Sequence, residues 1–231
     1  MSFFNPEVPV ISRKKPAFEA PATPGVWQIH FQLGSSTLFA SFYTKHDQAC
    51  LLWGIISGGI FVIAQFFPIS WITQAIFASA LTVIGVLGMV YLTWHLTVVD
   101  RLTWILFSWV FLMLTGAIVT DLSIFFSWSN VLMRICPLWL GLSAIGYLVT
   151  GIGMRSRAFF LLGLLHLLAI GMLPYVGIWQ QLVTGFVIGG SVFLVAELQW
   201  DSNGVCNYQA QQQRIQESSE ENDDVSVQSI A

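Results

Sequence analysis

Long apolar runs alternate with very short polar breaks through the middle of this chain. A helix needs about 20 apolar residues to cross the hydrocarbon core of a bilayer. Six runs qualify, at about 49–67, 71–99, 102–120, 135–153, 158–173 and 178–196. Pro68 stops the first and Pro174 ends the fifth, while Pro137 falls in the first turn of the fourth, where a missing N–H costs little. Backbone polar groups cannot go unpaired in lipid, so runs this long read as helices. The second run is longer than a crossing requires and should tilt or project from the bilayer. The breaks are tight: 68–70 between the first two runs, and little more than Asp100-Arg101 between the next two. Such hairpins force neighbours in sequence to pack side by side. The longest break, 121–134, is itself apolar and is expected to lie in the interface with Trp128 at headgroup depth.

The flanks follow other patterns. Residues 26–33 alternate Trp27, Ile29, Phe31 and Leu33 with Gln28, His30 and Gln32, which is strand periodicity. Residues 36–46 group Leu38, Phe39, Phe42 and Tyr43 on one helical face and are expected to form a surface-lying helix. The organisation is therefore a polar, proline-rich tail at 1–48, a six-helix domain at 49–197 and an acidic tail at 198–231 expected to be disordered.

Composition narrows the class. The chain is 55% hydrophobic and 9% charged, against about 25% charged for a soluble domain. It is too poor in polar side chains to cover a globule in water. The fold expected is an all-α integral membrane bundle of six transmembrane helices. Five of the eight prolines (Pro6, Pro9, Pro16, Pro21, Pro24) lie before the first run, an opening unlike a cleavable signal. Lysine and arginine give the orientation. Arg13, Lys14, Lys15, Lys45, Arg101, Arg155, Arg157 and Arg214 fall on the side of the N-terminus, and Arg134 alone on the other. Both termini are thus expected on the cytoplasmic side, of a plasma membrane or an internal energy-converting membrane. No basic stripe suggests nucleic acid. Cys50, Cys136 and Cys206 are an odd, scattered set with no metal or disulfide spacing.

Three groups of residues carry candidate roles. Gly54-x-x-x-Gly58-Gly59 in the first run and Gly185-x-x-x-Gly189-Gly190 in the sixth allow close helix approach, with the first and sixth spans closing the bundle. His166 lies roughly 12 Å into the fifth span and His95 roughly 6 Å from the same boundary. Imidazole in lipid needs partners, so both should face the interior. The plain reading is a neutral imidazole bonded to a hydroxyl such as Ser143, Thr115 or Ser191. The sharper one is ligation of haem iron or chlorophyll magnesium. Ionic partners at the boundaries are Asp121 with Arg134 on one side, and Glu197 with Arg155 or Arg157 on the other. Gln65 suits an interhelix hydrogen bond.

Walker loop, HExxH, GxSxG and CxxC motifs are missing, and no pair of carboxylates lies within a span. The chain reads as a non-enzyme. The function expected is an accessory, assembly or structural component of a larger membrane complex, with the bilayer and other membrane proteins as partners and a homo-oligomer open. The alternatives are a tetrapyrrole-binding protein using His166 and His95, and a small transporter or channel for a neutral or apolar solute.

Overall fold

The computed structural model describes residues 4, 9–14, 27–33 and 36–201. Its elements are strands β1 (Ile11–Arg13), β2 (Trp27–Leu33) and β3 (Ser36–Tyr43), then helices α1 (Lys45–Phe66), α2 (Trp71–Val99), α3 (Thr103–Phe125), the single turn α4 (Ser129–Leu132), α5 (Ile135–Met154), α6 (Arg157–Met172) and α7 (Gln180–Glu197), and last β4 (Leu198–Trp200). Two 3₁₀ turns, Leu173–Tyr175 and Gly177–Trp179, join α6 to α7. Six helical stretches are long and apolar enough to cross a membrane, as a multi-pass protein requires.

Local chemistry sets the helix ends. α1 begins four residues before the apolar run because Thr44 and Asp47 form a capping box: the Asp47 N–H donates to the Thr44 hydroxyl at 3.3 Å, and the Thr44 N–H donates to the Asp47 carboxylate at 2.8 Å. Ser70 caps α2, accepting the Thr73 N–H at 3.1 Å. With 29 residues, α2 is about 44 Å long. The turns after α2 and α5 each carry an arginine in the left-handed region, Arg101 at φ 56° and Arg155 at φ 50°.

The six long helices form a closed ring. Each of α1, α2, α3, α5, α6 and α7 packs on the next, and α7 returns to pack on α1. Every one of them is apolar around its whole girth, so large side chains remain exposed on the outside, among them Phe111, Leu168 and Phe186. That is what a lipid-facing exterior demands. The two tails meet at one end of the ring, where β1 pairs antiparallel with β4 (Ile11 opposite Trp200, Arg13 opposite Leu198). This is the tail end of the ring, and the opposite one is the far end.

Three boundaries differ from expectation. Residues 36–43 form a strand, not a surface-lying helix: β3 pairs antiparallel with β2, from Trp27 opposite Tyr43 to Leu33 opposite Ser36. Its aromatic and β-branched residues suit a strand, and the neighbouring β2 supplies the partner that decides a short ambiguous run. α3 continues to Phe125, taking Asp121 into the helix. Trp128 then stacks on Phe126 with ring centroids 5.8 Å apart. The first residues of the C-terminal tail are built into the fold, as β4 and Asp201. The remainder of that tail, and most of the proline-rich segment, lie outside the described residues.

Candidate interior solute site

Among the described residues, two partly open chambers lie within the ring. The inner one, toward the tail end, has a volume of about 130 Å³ and takes lining from all six long helices. Its walls are Trp53 of α1, Met89 of α2, Trp109 of α3, Tyr147 of α5, Phe159 of α6 and Val192 of α7, with others. The outer one, toward the far end, measures about 90 Å³ and includes Ser79, Asp121, Trp139 and Gln181. The two share Trp53, Ser57, Met113, Ser143 and Ile188 as a common wall. These are interior positions of their helices, so the wall stands near the middle of the ring.

Most hydroxyls facing the inner chamber are already bonded to their own helix. Thr93 donates to the Met89 carbonyl at 2.8 Å, and Ser57 to that of Trp53 at 2.7 Å. Thr150 donates to the Gly146 carbonyl at 2.8 Å and accepts the Trp109 indole N–H at 2.9 Å. Tyr147 is different. Its side chain is 2% exposed, and its hydroxyl has no partner. A buried, unpaired hydroxyl costs about 1–3 kcal/mol. The ring is held by Trp109 edge-on (5.4 Å), Phe159 (6.1 Å) and His166 (4.9 Å).

The tail end is closed by the tails themselves. Trp200 packs edge-on to Phe159 at 4.6 Å and lies 5.7 Å from His46, and both of those line the inner chamber. Two ionic clamps hold this closure. Lys14 pairs with Asp47 at 2.6 Å, both nearly buried, and also donates to the Ala196 carbonyl. Asp201 caps α6, accepting from the Ser156 hydroxyl (2.8 Å), the Arg157 and Ala158 N–H groups (both 3.0 Å) and Arg157 Nε (2.8 Å). Burial alone would raise the Asp201 carboxyl. The Arg157 guanidinium and the N–H and hydroxyl donors outweigh it and hold the group below the usual carboxylate range.

His166 is fully buried, but its Nδ1 lies 2.8 Å from the Leu162 carbonyl, so it bonds to its own helix and not to Ser143, Thr115 or Ser191. A carbonyl can only accept, which leaves Nε2 as a lone-pair acceptor, and that atom is unpartnered. His95 is exposed on α2, contrary to the inward orientation expected of it: four residues before the end of a helix that outruns the bilayer, it can reach polar surroundings. The two histidines do not clamp a common site. His166 lines neither chamber, and each is far smaller than the roughly 300–1,000 Å³ of pockets for cofactor-sized ligands. Neither of these two chambers therefore fits a tetrapyrrole.

The glycines of α1 and α7 divide. A Cβ on Gly185 would lie 2.6 Å from Phe61 Cβ, and one on Gly54 would lie 2.9 Å from the Phe193 ring. Gly189 sits against the Gly54 carbonyl, 3.4 Å from where its Cβ would be. The Cβ directions of Gly58, Gly59 and Gly190 are open. Asp121 accepts from the Ser79 hydroxyl at 2.7 Å in place of pairing with Arg134, which is exposed. Glu197 accepts from the Tyr43 hydroxyl at 2.6 Å, Arg157 goes to Asp201, and Arg155 stands exposed as the cap residue of α5. Gln65 bridges α1 to the start of α7, donating to the Ile178 carbonyl (3.2 Å) and accepting the Leu182 N–H (3.3 Å).

Tyr147, Lys14 with Asp47, and Asp201 are the participants that sequence reasoning missed. Two local signals existed: Thr44-x-x-Asp47 before the first apolar run, which is a capping-box spacing, and a helix start after Ser156, whose N–H groups needed an acceptor. Among the described residues, no three His, Cys, Asp or Glu side chains gather as a metal site. The chain matches no protein-family model, no curated protein and no solved structure.

Proposed function

We propose that this multi-pass membrane protein is a small carrier or channel that holds a neutral solute inside its helix ring. The observation that carries this reading is the pair of chambers set end to end with one common wall. The inner chamber presents an almost wholly apolar surface, most of its Ser and Thr hydroxyls being bonded to their own helices, which suits an uncharged solute over an ion. Its size supports a molecule of about the size of a single substituted benzene ring, since benzene occupies an apolar cavity of about 150 Å³ in a protein engineered to have one. Among the described residues, Arg13, Lys14, Lys45, Arg101, Arg155 and Arg157 gather at the tail end and Arg134 at the far end. That asymmetry supports a cytoplasmic tail end. An accessory role in a larger assembly would rest on the tails, most of which lie outside the described residues.

The test is flux. The full chain in liposomes should speed the entry of urea, glycerol or 1,2-propanediol in stopped-flow light scattering, with a sharp size limit. Trp53→Ala, which thins the common wall, should relax that limit. Permeabilities equal to those of protein-free liposomes for all three solutes would overturn the reading.

A further inference from the structure

We infer that the inner chamber recognises a small apolar molecule bearing one hydrogen-bonding oxygen, with the Tyr147 hydroxyl as its partner. This rests on the solute-holding reading and names the solute's chemistry. Three observations meet at one residue. Tyr147 lines the chamber, its hydroxyl is buried, and that hydroxyl has no partner. The other hydroxyls described above are spent on backbone carbonyls, so they offer less to a guest. Packing of Trp109, Phe159 and His166 around the ring keeps it from swinging its hydroxyl elsewhere. The hydroxyl is covered in the empty chamber, so a solute oxygen reaches it and regains the missing bond only as the side chains over it give way, while the apolar body fills the space between Trp53, Trp109 and Met89. The chemistry also makes sense of a protein route. A hydrocarbon crosses lipid unaided, whereas a molecule with a hydrogen-bonding oxygen must shed water to do so.

The experiment compares phenol with toluene, two probes of matched shape that differ in the oxygen. Apparent affinities are measured by calorimetry on the full chain in mild detergent, each against protein-free micelles. Phenol should bind about tenfold more tightly than toluene after that correction. Tyr147→Phe should remove the preference and leave toluene binding unchanged. Equal binding of phenol and toluene to the unaltered protein would overturn the role of Tyr147 while leaving the chamber as a solute site. The same holds for a preference that survives in Tyr147→Phe. Binding of neither probe would overturn the proposal and count against the solute-holding reading. Phenol preference without solute flux in liposomes would uphold Tyr147 and overturn only the passage. Should Tyr147→Phe fail to fold, the comparison in the unaltered protein decides alone.

Discussion

The two ends of the ring are held together by different chemistry. At the tail end, a lysine and an arginine are each matched to a nearly buried carboxylate, and both tails are drawn into the closure. At the far end, the polar tie between first and last helix is one neutral amide, Gln65, with Phe66 edge-on to Trp179 beside it, while Arg134 is exposed and Asp121 bonds to Ser79. Desolvating a charge is costly, so nearly buried ion pairs persist only where further donors complete them. Asp201 meets that condition with four donors, and Asp47 with Lys14 and the Thr44 cap. The contrast teaches that the closure of this ring is anchored at one end and merely fastened at the other.

Asp201→Ala is the sharpest way to break that contrast. It strips the cap from α6 and leaves Arg157 without its carboxylate, and should cost about 2–4 kcal/mol. Thermal unfolding in detergent would read the loss, and hydrogen exchange should place it in the first turn of α6. A stability change under about 0.5 kcal/mol would refute the anchored end.

Acid should undo the same clamp. Asp201 is held below its ordinary range, so the folded chain favours its charged form. The stability it contributes is complete above the unfolded carboxyl's range and is lost as pH falls through the folded value. Melting temperature should stay level from about pH 7 to 5 and fall near pH 4 and below. The fall should be shallower in Asp201→Asn, and an unchanged profile in that variant would assign the acid sensitivity elsewhere.

The far end should respond least. Gln65→Leu removes two neutral hydrogen bonds at a partly open position and should cost about 0.5–1.5 kcal/mol. Arg134→Ala should stay within about 0.5 kcal/mol. If either matched Asp201→Ala, the two ends would be equivalent.

The six helices were legible because the length of an apolar run is a property of neighbouring residues. Asp121 misled the end of α3: a single carboxylate was read as a boundary, but with Ser79 beside it the helix continues. His95 and His166 sit in similar apolar contexts, yet one is exposed and the other fully buried. Which face of a helix turns inward depends on its neighbours around the ring, and no local pattern carries that. The same holds for Asp201, whose partners lie about 44 positions away. Residues 36–43 failed for another reason: over eight positions, helical and strand periods select overlapping sets of apolar residues. Tyr147 was invisible because its distinction is an unfilled bond, and only the surrounding atoms reveal that.

The seam between α1 and α7 has a consequence for biogenesis. The first helix made must wait for the last before its glycine-lined face finds a partner. Until α7 arrives, the nascent chain is an open arc whose future interior faces lipid, and both chambers come into being only at the final insertion step. Chains stalled or cut before residue 180 should therefore be inserted yet hollowless, which makes them natural clients for whatever surveys unassembled membrane helices.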